Sequence, residues 1–143
     1  MNLGIEKANN LKTVWQEFRI ANPKVRIRDA ATQLGVSEME LLATGIGENV
    51  VRLKDNFGEL LHEVHKLGYV MALTRNEQIV HERKGVYDNA ETGLPHKMAL
   101  FVNPDIDLRI FLSNWHFGFA VTSESPRGTM RSLQFFDIDG TAV

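Results

Sequence analysis

The segment DLRIFLSNW, Asp107 to Trp115, places an arginine inside what otherwise has the pattern of a buried strand. Strand alternation sends Ile106, Leu108, Ile110 and Leu112 to one face, and Asp107, Arg109 and Phe111 to the other. The first face suits a core. The second offers a permanent guanidinium charge beside an aromatic ring and has the look of a site wall. The plainer reading is that Asp107 and Arg109, two residues apart on that face, screen each other on a solvated surface.

Five histidines are the other candidates for chemistry. His62 and His65 lie three apart in a helical pattern and could share a metal, but HEVH is one residue short of the HExxH zinc motif and spacing suggests no third ligand. His81 lies in the strand-like QIVHE, on the face shared with Ile79 and Arg83. A strand histidine there can be a satisfied core residue or an iron ligand, and spacing by itself favours the first. His96 and His116 have no constellation around them. Met71, Met98 and Met130 could ligate iron, although strand methionines more often fill cores. The sequence has no GxSxG, no Gly-rich phosphate loop and no convincing pair of catalytic carboxylates.

The elements that must position these residues divide the chain in two. Leu11, Val14, Trp15 and Phe18 recur at helical spacing until Pro23. A second helix is predicted over Ile27 to Leu34, closed by Gly35, and a third over Glu38 to Ala43, with Ser37 as N-cap and Glu40 as its capping-box partner. A short strand, Val50 to Leu53, precedes an amphipathic helix from Phe57 to Leu67 that stops at Gly68. Strands are then predicted at Tyr69 to Thr74, Gln78 to Glu82, Lys97 to Val102, Ile106 to Leu112, Phe117 to Thr122 and Arg131 to Asp137. The fold class is α+β, an antiparallel sheet with helices on one face. Ile106, Leu108, Ile110 and Leu112 are expected to pack on helices carrying Trp15, Phe18, Leu60 and Leu61.

RDAATQLGVSEMELL has the outline of a helix-turn-helix. Its second helix would be the reading helix, yet Glu38 and Glu40 occupy positions expected to be exposed, and acid there repels DNA. Two packed helices with a capped turn are the better reading.

Composition bounds the rest. The 143 residues, 43% apolar and 24% charged, fit a single domain over 1–143 with a real core. A formal net charge of -2 provides no long-range field to draw in nucleic acid or an anionic membrane. Without cysteine there are no disulfides, thiolate metal sites or thiol nucleophiles, which fits a reducing compartment. The N-terminus lacks a signal-peptide pattern and no segment approaches the roughly 20 apolar residues of a membrane span, so a cytoplasmic location is expected.

Leu73 to Tyr87 (LTRNEQIVHERKGVY), DLRIFLSNW and Arg127 to Val143 (RGTMRSLQFFDIDGTAV), with the earlier LGVSEMELLATG, resemble the N-terminal half of the bacterial hemin-degrading and hemin-transport proteins, the HemS/ChuS/HmuS family. The resemblance covers most of the chain, in order. It implies one half of a tandem-duplicated haem-utilisation fold, each half an antiparallel sheet flanked by helices. It implies a cytoplasmic haem-binding protein of iron acquisition, supplied by an inner-membrane haem transporter, with haem oxygenase-like cleavage of the macrocycle when an electron donor is present. The family's distal arginine matches Arg109 and its neighbouring aromatic matches Phe111. The family's proximal histidine belongs to the second half, so a second half-domain or a homo-oligomer is the implied partner. His81, in the VHE segment, is then the best candidate iron ligand within this half. A non-catalytic half-domain that completes a haem pocket with another domain is the competing expectation, and the helix-turn-helix regulator a distant third.

Overall fold

The computed structural model describes residues 3–143, with the side chains of residues 3–6 and of His96 outside the description. Three helices lead: α1 (Leu3–Ala21), α2 (Ile27–Leu34) and α3 (Glu38–Ala43). A short strand β1 (Val50–Arg52) and helix α4 (Phe57–Glu63) follow, and then seven strands: β2 (Tyr69–Arg75), β3 (Val80–Val86), β4 (Ala90–Leu94), β5 (Met98–Val102), β6 (Asp107–Phe111), β7 (Phe117–Ser125) and β8 (Gly128–Phe136). The class is α+β as expected, but the antiparallel strands form three small sheets rather than one: β1-β7-β8, the ribbon β2-β3, and β4-β5-β6. Among the described residues, no helix is long and apolar enough to cross a membrane.

The helical start follows its local signals. Ser37 Oγ accepts the Glu40 N–H at 3.1 Å while the Glu40 carboxylate accepts the Ser37 N–H at 2.7 Å, so two otherwise free helix-terminal donors are satisfied reciprocally. Gly35 closes α2 at φ 69°, a left-handed conformation that costs a residue without Cβ little.

Trp15 and Phe18 do not pack beneath β6. They form a separate cluster with Ala30 and Ala31 of α2 and Leu41 of α3, which together take up the apolar stripe of α1. The core under β6 instead joins Ile106 and Ile110 to Ala99, Phe101, Ala72, Leu61 and Val64, with Leu60, Leu108 and Leu112 packed at its margin. Two of the four expected helix contacts, Leu60 and Leu61, are therefore present.

Other differences have local causes. The helix expected to run from Phe57 to Leu67 is α-helical only to Glu63, then tightens into a 3₁₀ turn, Val64–Leu67, before Gly68 redirects the chain at φ 74°. Strand β3 starts at Val80 rather than Gln78, since the Asn76 side chain accepts the N–H groups of Gln78 and Ile79 and folds the link into an Asx turn. Strand β4, AETGL, was hidden by a composition poor in β-formers and by Gly93 at φ 78°, where its register with β5 shifts. Glu38 is not exposed: it is 8% accessible and paired with Arg75, which docks the start of α3 on the turn end of the β2-β3 ribbon. That packing, with the Met39 N–H donating to the Gly140 carbonyl, places the start of α3 inside the domain rather than in a reading position.

Candidate functional site

The β5-β6 pairing sets Met98 opposite Phe111, Leu100 opposite Arg109 and Val102 opposite Asp107. Partners across an antiparallel ladder share a face, so these six side chains form one surface while Ala99, Phe101, Ile106 and Ile110 point into the core. Phe111 is 53% and Val102 56% exposed, Arg109 is exposed, and Met98 and Leu100 are half-buried. The surface is apolar along Met98, Leu100, Val102 and Phe111, with the Arg109 cation and the Asp107 carboxylate standing on it. Among the described residues, no carboxylate lies within ion-pairing distance of Arg109, so Asp107 does not neutralise it by contact. The guanidinium therefore keeps its donors for water or a ligand.

The platform is held by the link between its strands. Asn103 Oδ1 accepts the N–H groups of Asp105 and Ile106 at 3.0 and 2.9 Å, while its Nδ2 donates to the Val86 carbonyl at 3.1 Å. Arg83 braces the same turn, donating to the Asp105 carboxylate at 2.8 Å and to its carbonyl at 3.2 Å. These bonds fix where β6 begins, and hence which face Arg109 and Phe111 occupy, since a one-residue slip would turn both into the core. On the buried side Tyr87 meets the Phe101 ring edge-on at 4.9 Å, and its burial raises the phenol pKa above 10.0.

His81 stands on β3, opposite Thr74, in a different sheet from Arg109. Its side chain is exposed, so it is not a buried core residue. Arg109 and Phe111 are thus brought together, and His81 is carried separately. His62 and His65 are exposed on either side of the α4 terminus, and the His65 ring contacts the His62 carbonyl at 3.0 Å. Among the described residues, no group of three or more histidines and carboxylates could hold a metal ion. Met71 and Met130 are 48% and 60% exposed rather than core-filling, while Met98 lies on the platform. The contribution of Met98, Leu100 and Val102 escaped sequence reasoning, although the same alternation applied to Lys97–Val102 beside DLRIF would have found it.

Residues 35–143 match the model of the haemin-degrading HemS.ChuX domain. The hemin transport protein HemS of Yersinia enterocolitica is 38% identical over 92% of this chain and 39% of its own length. Among solved structures, holo-PhuS, a heme-binding protein from Pseudomonas aeruginosa, is 48% identical with a TM-score of 0.89 over 95% of this chain and 39% of its own. ChuS, an E. coli heme oxygenase, is 31% identical with a TM-score of 0.82 over 94% and 39%. The chain thus spans about two-fifths of the length of these relatives, corresponding to one half of a duplicated fold. With a domain model matched over most of its length and a fold shared with a heme-binding protein at nearly half identity, the chain belongs to the haemin-degrading HemS/ChuX family.

Proposed function

We propose that the β5-β6 platform is one wall of a haem pocket and that the chain binds haem for iron acquisition. The observation that carries this reading is the Arg109 guanidinium, which has no ion-pair partner among the described residues, beside the exposed Phe111 ring on a largely apolar surface. Haem is a planar apolar macrocycle with anionic propionates and an iron centre. Phe111, Met98, Leu100 and Val102 provide apolar surface for the ring, and Arg109 provides charge-assisted donors for a propionate or a distal ligand. Arg109 stays protonated at all working pH values, so it orients and stabilises anions but does not shuttle protons.

Iron coordination is assigned to an imidazole, and His81 is the candidate within this chain, in a location accessible to a ligand. A second reading is favoured by the openness of the platform and by the length of the relatives. Here the chain is a non-catalytic half-site, with the opposite wall and a proximal ligand supplied by a second haem-utilisation domain. In either case the protein works in the cytoplasm and receives haem from a membrane uptake system; in the first it also contributes to oxidative release of iron when an electron donor is supplied. ChuS, a relative of this fold, is a heme oxygenase.

Titration of the chain with hemin tests the proposal. A saturable, shifted Soret band at near-equimolar hemin is expected, with lower affinity than in a two-domain protein. A spectrum that remains that of free or aggregated hemin throughout would overturn haem binding by this chain.

A further inference from the structure

Charge is spread unevenly over the β5-β6 platform. The β4-β5 pairing adds Glu91, opposite Leu100, and Leu94, opposite Met98, to the same face. The end where Val102 meets Asp107 therefore carries a carboxylate, and the β4 flank carries a second at Glu91. Arg109 stands at the middle of β6. The remaining corner, Leu94, Met98 and Phe111, is apolar, and Lys97 borders it. Lys97 holds a position that its backbone disfavours. Leu94 and Met98 close a three-residue turn, Pro95–Lys97, whose last residue is left-handed at φ 53°. Hairpin turns of this length favour glycine there, because a Cβ is strained in that conformation. Asn89 is the other non-glycine with a positive φ among the described residues, and asparagine is a type that tolerates it. Lys97 is exposed and has no ion-pair partner among the described residues. Its turn lies beside the Leu112–Asn114 turn that ends β6, which sets the lysine at the Phe111 end of the platform.

We propose that Lys97 binds the propionates of haem on this platform and so sets which way round the macrocycle lies. The proposal rests on the haem reading of the platform. Along β5 a rise of about 3.3 Å per residue puts Lys97 roughly 10 Å from Leu100, the residue opposite Arg109. That separation suits a porphyrin centred at Arg109, with the flexible lysine stem reaching the carboxylates on its rim. Arg109 then faces the iron and its distal ligand, while Lys97 meets the propionates. Asp107 and Glu91 repel the propionates from the far end and the β4 flank, so the charges at the edges of the platform agree on one orientation. The ring itself lies over Met98, Leu100 and Phe111. A strained lysine at the turn is retained, on this account, because glycine would relieve the backbone and lose the charge.

Paired titrations with hemin and with hemin dimethyl ester, whose propionates are uncharged, test it. Lys97→Gly removes the charge and the backbone strain together. It is expected to unfold at a higher urea concentration than the unaltered chain yet to bind hemin about 2- to 5-fold more weakly, an opposition that structural damage would not produce. Lys97→Glu keeps the strain and reverses the charge, and should weaken hemin about 5- to 20-fold. Asp107→Asn, which relieves a repulsion at the far end, should tighten hemin by about 2-fold or less. With the dimethyl ester, the unaltered chain and both Lys97 variants are expected to bind alike. Hemin affinity indifferent to both Lys97 substitutions, or a loss of the same size with the ester, overturns the proposal. So does a gain in Asp107→Asn that exceeds the loss in Lys97→Glu, because the propionates would then lie at the opposite end. The two readings fail differently. Hemin binding that ignores Lys97 overturns the orientation alone, whereas an unaltered chain that binds no hemin overturns the haem reading and the orientation with it.

Discussion

At the scale of single residues, Arg109 and His81 differ in what they can do to iron. A guanidinium acts by charge and hydrogen bonding, whereas imidazole coordinates directly. Arg109→Ala is therefore expected to keep the coordinated absorption spectrum but to lower hemin affinity about 10- to 150-fold, the loss of about 1.5 to 3 kcal/mol from a charge-assisted bond. His81→Ala is expected to change the ligand-field bands and to reduce affinity strongly. An unchanged spectrum in that variant would remove His81 as the ligand and point to a histidine from a second domain. Tyr87 offers a test on the buried side of the same sheet. Its folded pKa is raised above 10.0 by burial, so the unfolded chain ionises first as pH rises. The contribution is fully present below pH 10.0 and is lost as pH climbs toward the folded value. Denaturant titrations at pH 9 and 11, values on the order of one unit either side of the ordinary tyrosine pKa, should show an alkaline loss that Tyr87→Phe reduces.

At the scale of elements, two joints hold the β2-β3 ribbon that carries His81. The first is the ion pair of Arg75 with the buried Glu38, reinforced by Arg28 Nη1 donating to the Asn76 carbonyl at 2.7 Å. Arg75→Ala strands a carboxylate that is 8% accessible and should cost on the order of 3 kcal/mol in chemical denaturation, much more than an exposed pair such as Lys66 with Glu63. The second joint is Gly85 against Asp105 and Ile106, where Gly85→Ala should cost about 1 to 3 kcal/mol through overpacking. A value near zero would mean that ribbon and turn separate easily. The elements also show how far the sequence is legible. Helix caps and strand alternation are local, so α2, α3, the Ser37–Glu40 box and the two faces of DLRIF follow directly from residue types. Which elements pack on which is not local. The alanine face of α2 captures Trp15 and Phe18, Glu38 is buried by a strand 37 residues away, and the platform needs β5 beside β6 before its apolar floor exists.

At the scale of the molecule, the three small sheets and three separate apolar clusters of the described residues make a unit with a firm interior and open surfaces at the β5-β6 platform and the outer face of the ribbon. Openness suits one half of a duplicated fold, because a ligand such as haem needs walls on both sides to be fully enclosed. The central claim, that haem lies on the β5-β6 platform, is tested most directly by the amide NMR spectrum of the isotope-labelled chain during hemin addition, since paramagnetic ferric iron broadens nearby signals. The account predicts that amides of Met98–Val102 and Asp107–Phe111, joined by that of His81 where it coordinates the iron, are lost first and saturably, while those of α1 and α2 persist. Broadening spread evenly over the chain, or centred on the helices, would contradict it.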